Sequence, residues 1–281
     1  MGDIVIGPGN PLAVIAGPCA LESRDLAMEV GSAMRDACDA AGLPFIFKAS
    51  FDKANRTSVT SPRGPGLAQG LDDLAAVREA LGAPVTTDVH DPSQADAVAE
   101  VVDLLQIPAF LCRQTDLLTA CGEAAARAGR AVNVKKGQFV APAEMTGPVT
   151  KLAVAGCANV LLTERGTFFG YHRLVNDFVG LGDLMEQDAG GGPCPVCFDC
   201  THSTQRPGAA GTTSGGRPER AGLLARAAVA AGVHAVFLEC HPEPSRALSD
   251  AATMLKTTDA ARLVADLAAI RAVLADRADR S

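Results

Sequence analysis

Tryptophan is absent from this 281-residue chain, tyrosine occurs once, and aromatic residues make up only 4% of it. Aliphatic side chains must therefore fill any core, and there is little from which to build the aromatic platforms that stack single-stranded nucleic acid. A basic excess is missing too: 25 Lys and Arg stand against 32 Asp and Glu, a net charge of −7. That balance argues against nucleic acid or an anionic membrane as a partner. No apolar run approaches the roughly 18–20 residues that span a bilayer. The start, Met1-Gly2-Asp3-Ile4-Val5-Ile6, lacks a basic segment followed by a long apolar run, so no signal peptide is expected. Position 6 also lacks the hydroxyl of a myristoylation motif. The nine cysteines are odd in number and show no framework spacing, as in a reducing compartment. A cytoplasmic globular protein is expected.

What is present is ample core material, with 48% hydrophobic and 20% charged residues, which excludes global disorder. Eight short runs rich in Val, Ile, Leu or Phe recur along the chain: Leu12–Ala16, Pro44–Ala49, Pro84–Val89, Asp103–Ile107, Ala131–Lys135, Asn159–Thr163, Pro195–Cys200 and Ala235–Glu239. They show little polar alternation, as strands buried on both faces of a parallel sheet do. Helical spacing fills the gaps, with Leu71, Leu74, Ala75 and Arg78 before the third run and Leu223, Leu224, Ala227 and Ala228 before the eighth. Eight such units predict a single α/β domain over 1–281, a (β/α)8 TIM-type barrel of the usual length near 250 residues. A doubly wound open sheet obeys the same grammar and is the alternative. Residues 1–11 form a short N-terminal extension. Leu263, Leu267, Ile270 and Leu274 place a closing helix over 258–280, with Thr258 as its N-cap. The Gly-rich stretch 206–217 reads as an ordinary surface loop or as a mobile lid.

Polar residues end every run. Gly17-Pro18-Cys19 follows the first, Lys48 to Arg56 the second, Asp88-Val89-His90 the third and Arg113-Gln114 the fourth. Lys135-Lys136, Glu164-Arg165, Asp199-Cys200-Thr201-His202 and Glu239-Cys240-His241 follow the rest, with Asp250 eleven residues beyond Glu239. Charged residues that merely open solvated loops explain any one strand. Eight in a row at the end where barrel active sites form point instead to chemistry. Lys48, Lys53, Arg56, Arg113, Lys136 and Arg165 are six cations in an acidic chain, and they imply a polyanionic substrate carrying phosphate or carboxylate. Cys19, His202, Glu239 and Asp250 combine thiolate, imidazole and carboxylates, a set able to hold Fe²⁺, Zn²⁺, Mn²⁺ or Co²⁺. The competing reading makes His202 a hydrogen-bonded core residue and Cys19 a small buried hydrophobe. Cys194-Pro-Val-Cys197-Phe-Asp-Cys200 is a weaker metal signal. Its outer sulfurs would lie about 20 Å apart on an extended strand, so these read as core and edge cysteines.

Ile15-Ala-Gly-Pro-Cys-Ala-Leu-Glu-Ser23, Phe47-Lys-Ala-Ser-Phe-Asp-Lys-Ala-Asn-Arg-Thr-Ser58, Thr87-Asp-Val-His90, Asn133-Val-Lys-Lys-Gly-Gln-Phe139, Thr163-Glu-Arg-Gly166 and Asp199-Cys-Thr-His-Ser203 run through nearly the whole chain. On these segments the sequence resembles the 3-deoxy-D-manno-octulosonate 8-phosphate synthases, also called 2-dehydro-3-deoxyphosphooctonate aldolases. A sister family making 3-deoxy-D-arabino-heptulosonate 7-phosphate carries a Lys-Pro-Arg-Thr pattern where Lys53-Ala54-Asn55-Arg56 stands here. It is the alternative enzyme; a non-catalytic phospho-sugar-binding barrel is the alternative from another class.

The resemblance implies condensation of phosphoenolpyruvate with D-arabinose 5-phosphate and water, releasing phosphate, in the synthesis of a lipopolysaccharide precursor. It implies that Lys136 and Arg165, with Arg113 nearby, face the phosphoenolpyruvate phosphate, and that Lys48 and Lys53 sit near its carboxylate and the reacting carbons. Asn55, Arg56 and Thr57 would grip the sugar phosphate, reaching a neighbouring subunit's site in a homotetramer; Thr57 stands where Ser is usual. Asp88 and His90 would line the sugar side. Cys19 marks the metal-dependent class, which implies one divalent ion on Cys19, His202, Glu239 and Asp250. The Gly190–Pro193 insert is expected away from the site.

Overall fold

A computed structural model describes residues 4–54, 62–210 and 213–278. In chain order the strands are β1 (Ala13–Gly17), β2 (Phe45–Lys48), β3 (Val85–Asp88), β4 (Leu104–Ile107), β5 (Ala131–Lys135), β6 (Val160–Glu164) and β7 (Val196–Asp199). A hairpin of β8 (Arg206–Ala210) and β9 (Thr213–Gly215) follows, then β10 (Ala235–His241) and the two-residue β11 (Leu255–Lys256). Strands β1 to β7 pair in sequence and in parallel, β7 pairs with β10, and β10 returns to β1 from Ala13↔Ala235 to Gly17↔Glu239. That last pairing closes the cylinder and excludes the open sheet. Each predicted run matches one barrel strand with ends shifted by a residue or two, as apolar runs too short for helices dictate.

The helices α1 (Arg24–Ala41), α2 (Leu67–Leu81), α3 (Ala95–Val101), α4 (Thr115–Ala128), α5 (Thr146–Val154), α6 (Phe178–Glu186), α7 (Ala221–Ala230) and α8 (Thr257–Ala278) form the outer ring. The first shows why. The Ser23 hydroxyl caps it by accepting from the Leu26 amide at 3.2 Å, and Ala27, Val30, Gly31, Met34 and Cys38 make its buried stripe at three- and four-residue spacing. Gly42 ends it with φ 67°. Helix α8 packs between α7 and α1, so it does close the ring. It begins at Thr257, which puts Thr258 inside the first turn rather than at the cap. The expected face of α7 is also rotated: Leu223 is exposed, and Ala221, Ala225, Ala228 and Val229 are buried. Packing of small residues against the barrel outweighs leucine's hydrophobicity there. Among the described residues no helix is long and apolar enough to cross a membrane.

Strand alternation divides the core in two. Val14, Phe47, Val85, Leu105, Val132, Leu162, Phe198 and Val236 face the helices, while Ala13, Ile15, Ile46, Leu104, Leu161, Cys197 and Phe237 fill the interior toward the strands' N-terminal ends. Each large aliphatic or aromatic side chain so buried contributes about 1.5–3 kcal/mol. Ile4 and Ile6 of the N-terminal segment pack on this inner cluster, and the Asn10 carbonyl accepts from Arg271 at 3.1 Å. Cys197 lies inside and Cys200 outside, with Cys194 half-buried, so the three serve as core and edge residues. The Gly190–Gly192 turn, its three amides donating to Asp188 Oδ1, precedes β7 at the opposite end from the cavity described next.

Candidate active site

The interior changes character toward the strands' C-terminal ends. The same inward positions carry Lys48 on β2, Asp88 on β3, Gln106 on β4, Lys135 on β5, Asp199 on β7 and Glu239 on β10, and Arg165 follows β6 at the next inward step. All of these except the deeper Asp199 line a cavity of about 570 Å³ whose walls also include Lys53, His90, Gln138, His202, Gln205 and Asp250. Phe237 of the inner apolar cluster lies next to two of these cations. Its ring centroid lies 3.7 Å from Lys135 Nζ and 5.5 Å from Lys48 Nζ, so one aromatic ring serves two cations.

These charges are paired. Lys48 Nζ donates to Glu239 Oε1 at 2.7 Å and to the Cys19 carbonyl at 3.0 Å, with Asp88 Oδ2 at 4.0 Å. Lys135 Nζ donates to Asp199 Oδ2 at 2.5 Å, and the same oxygen lies 2.7 Å from His202 Nδ1. Burial pushes the Asp199 carboxyl up, but His202 and Lys135 outweigh it and hold the group well below the ordinary range. Asp88 is likewise lowered, because Lys48, Lys53, His90 and Lys135 overcome its burial. Burial pulls Lys53 down, yet Cys19, Glu239, Asp88 and Asp250 around it leave it above the usual lysine value. His90 is lowered chiefly by burial and is therefore neutral at pH 7.

The candidate metal ligands converge. Cys19, Glu239 and Asp250 offer ligand atoms all within 4.8 Å of one another, and His202 Nε2 approaches Glu239 Oε2 at 3.5 Å. Gly17 makes room for the turn that carries Cys19: a Cβ there would lie 2.0 Å from the Lys48 carbonyl oxygen. Asp250 sits at φ 48°, in the left-handed region unusual for a non-glycine residue. It is held by Ser249 Oγ at 2.8 Å, Gln205 Nε2 at 3.2 Å and the Cys19 thiol at 3.1 Å. Burial, Glu239 and Asp250 raise the Cys19 thiol well above its ordinary value. A cation must therefore displace a proton to bind it. Glu239 Oε2 is buried without a hydrogen-bond partner. A buried anionic oxygen with no donor, facing imidazole, thiol and a second carboxylate, fits a divalent ion of mixed N, O and S preference.

Three further residues of the cavity wall each hold a buried side-chain atom without a hydrogen-bond partner: Arg165 Nη1, His90 Nδ1 and Gln138 Oε1. Buried polar atoms are normally satisfied. A polar ligand that completes a guanidinium donor, an imidazole and an amide carbonyl accounts for all three. Arg165 is already oriented, since its Nη2 donates to Gln205 Oε1, and burial lowers it only from a very high ordinary value, so it stays charged.

Not every expected residue arrives here. Lys136 is buried outside the cavity, donating to the Val140 carbonyl at 3.0 Å and lying 3.2 Å from Glu164 Oε2. Its neighbour Lys135 lines the cavity instead. Arg113 is exposed and away from the cavity walls, its carbonyl accepting from Lys151 at 3.1 Å. Asn55, Arg56 and Thr57 lie outside the described residues. The stretch expected as a loop or lid is the β8–β9 hairpin, whose Pro207 lines the cavity. Gly216 beyond it lets the chain press on the loop after Asp250: a Cβ there would lie 2.2 Å from the Ala252 carbonyl oxygen. Gln106, Gln138 and Gln205 also line the cavity, and uncharged, common amides give no signal of that in sequence.

A closed (β/α)8 barrel with this cation and carboxylate cluster at its C-terminal mouth is the architecture of barrel enzymes. The chain matches the family model described as the DAHP synthetase I family over residues 1–271, and it belongs to that family. It is 58% identical over 237 residues to a protein of Nitratidesulfovibrio vulgaris named 2-dehydro-3-deoxyphosphooctonate aldolase, covering 84% of each chain. Proteins of the same name from Cyanothece sp. and Syntrophotalea carbinolica are 50% identical, covering 97% of each chain, and 48% identical, covering 98% of this chain and 96% of the relative.

Proposed function

We propose that this protein is a transferase that condenses phosphoenolpyruvate with D-arabinose 5-phosphate and water, giving 3-deoxy-D-manno-octulosonate 8-phosphate and inorganic phosphate for lipopolysaccharide synthesis. The observation that carries this reading is the set of cations around one cavity beside unpartnered polar atoms, in a chain whose relatives from Nitratidesulfovibrio vulgaris and Cyanothece sp. carry the same name. C3 of phosphoenolpyruvate forms a bond to the sugar aldehyde carbon, water oxygen adds at C2, and the C2–O bond to phosphate breaks. Three anionic groups must lie side by side for this. Arg165 Nη1 and Lys135 bind the enol phosphate, while Lys48 and Lys53 hold the carboxylate and the reacting carbons. Fixed cations at these points stabilise developing charge and hold the two carbons in line.

Asp88 and His90 take the sugar side, where the Asp88 carboxylate accepts hydrogen bonds from hydroxyls and the unpartnered His90 Nδ1 is available for another. Asn55, Arg56 and Thr57 grip the sugar phosphate, and in a homotetramer they complete a neighbouring pocket. Cys19, His202, Glu239 and Asp250 would hold one divalent ion. When bound, it supplies Lewis acidity toward the aldehyde or activates water. Asp199 accepts from His202 Nδ1, which leaves Nε2 free for such an ion.

Substrate competition tests the reading. Arabinose 5-phosphate is expected to exceed erythrose 4-phosphate in kcat/KM. A tenfold preference for erythrose 4-phosphate, about 1.4 kcal/mol in transition-state binding, would assign the protein to heptulosonate synthesis.

A further inference from the structure

Beneath the cavity, uncharged side chains form a continuous hydrogen-bonded row across adjacent strands. Thr163 Oγ1 on β6 donates to Asn133 Oδ1 on β5 at 2.7 Å. Asn133 Nδ2 donates to Gln106 Oε1 on β4 at 2.9 Å, and Gln106 Nε2 donates to Asp88 Oδ1 on β3 at 2.6 Å. From the other side Ser50 Oγ donates to Asp88 Oδ2, and Lys53 Nζ donates to Ser50 Oγ at 3.0 Å. Thr163, Asn133, Gln106 and Ser50 are buried. Asn133 and Thr163 do not line the cavity, whereas Gln106 and Asp88 do.

The row has one polarity, and Asp88 sets it. An ionised carboxylate only accepts, so Gln106 must turn its NH₂ toward Asp88 and its carbonyl toward Asn133. Asn133 must then turn its NH₂ toward Gln106, leaving its carbonyl to receive Thr163. No amide in the row can flip without placing two donors or two acceptors face to face at buried positions, where an unmade hydrogen bond costs most. Asp88 is thus fixed in plane and direction by Gln106 and Ser50, one on each oxygen, at the cavity wall.

We propose that the Thr163–Asn133–Gln106 row is a positioning element that fixes Asp88 as the acceptor for one sugar hydroxyl, and so sets the choice between pentose 5-phosphates epimeric at that hydroxyl. The proposal rests on the assignment of Asp88 to the sugar side. A carboxylate held at one height accepts from a hydroxyl of one configuration; a carboxylate free to swing accepts from either.

The test compares D-arabinose 5-phosphate with its 2-epimer, D-ribose 5-phosphate, as kcat/KM and as equilibrium binding, in the wild type and Asn133→Leu. The arabinose preference is expected to fall at least tenfold in Asn133→Leu, while KM for phosphoenolpyruvate stays within twofold. Thr163→Val is expected to lower the preference in the same direction and Thr163→Ser to retain it. This second pair decides the question should Asn133→Leu not fold. Retention of the preference in folded Asn133→Leu or Thr163→Val, or a parallel rise in KM for both substrates, would overturn the proposal alone. A wild type showing no preference between the epimers would overturn both the proposal and the substrate reading beneath it.

Discussion

Lys48 Nζ and Glu239 Oε1, 191 residues apart in sequence, meet at 2.7 Å with both side chains sealed from solvent. Removing one partner strands the other. Lys48→Ala is expected to lose turnover and to cost about 3–5 kcal/mol of stability, the penalty of an uncompensated buried charge. Urea unfolding checks this, and a loss below about 1 kcal/mol would count against it. Glu239 is lowered below its ordinary value: burial opposes the shift, and His202, Lys48 and Lys53 drive it. A lowered carboxylate stabilises above its unfolded value near 4.3 and loses that contribution as pH falls. Lys48→Ala removes one of the groups that lower it, so its acid unfolding should begin at higher pH than the wild type's.

Two adjacent lysines should behave differently. Lys135→Met, which takes a cation from the cavity wall, is expected to reduce kcat/KM by about 10²-fold, the usual effect of deleting one charge-stabilising donor. Lys136→Met should act mainly on stability, because it leaves Glu164 without its 3.2 Å partner. Steady-state kinetics on both variants decide this. Equal kinetic losses would mean that both cations reach substrate.

Exhaustive chelation is expected to abolish turnover, and Mn²⁺ or Co²⁺ to restore it. The Cys19 thiol, raised by burial and by its carboxylate neighbours, must lose its proton to bind, so metal affinity should weaken as pH falls. Cys19→Asn should lower metal content by elemental analysis while keeping some activity without metal. Full activity of a chelated wild type free of metal would refute the site.

Burial pushes the Cys38, Cys121 and Cys240 thiols up to about 12. A raised acid is neutral when folded, so its contribution is complete below the ordinary thiol value near 8.5 and is lost as pH rises toward 12. The urea midpoint should therefore be lower at pH 10 than at pH 7.5. Cys194, the one half-buried cysteine, should react first with maleimide, which mass mapping of the labelled peptide shows directly.

The assembly carries its own expectation. Arg56→Ala should impair sugar-phosphate use far more than phosphoenolpyruvate use, by about 1.5–3 kcal/mol for one charge-assisted contact, and sedimentation should give a tetramer. An active monomer with wild-type kinetics would exclude the shared pocket.

Much of this was legible in the chain because a barrel writes its strands as short apolar runs and its chemistry just after them. Cys19, Lys48, Asp88, Arg165, His202, Glu239 and Asp250 all reach the cavity region the pattern predicts. The resemblance implies Lys136, and the motif Asn133-Val-Lys-Lys sets it directly beside Lys135. Strand alternation decides the matter: Asn133 faces inward on β5, so Lys135 does too, and Lys136 turns out. Arg113 lies in a turn, and local sequence says nothing about which way a side chain leaves one. The hairpin was hidden by its Gly- and Pro-rich composition, since pairing between β8 and β9 comes from backbone hydrogen bonds rather than from side chains. The row from Thr163 to Asp88 was invisible for a related reason: its members are far apart in sequence and meet only across strands.

The most direct test follows the oxygen that joins phosphate to C2 of phosphoenolpyruvate. With that bridging oxygen labelled as ¹⁸O and arabinose 5-phosphate as acceptor, the released phosphate is read by mass. The account predicts that phosphate carries the label and that the product takes its C2 oxygen from water. Unlabelled phosphate, with the label retained in the product, would contradict it.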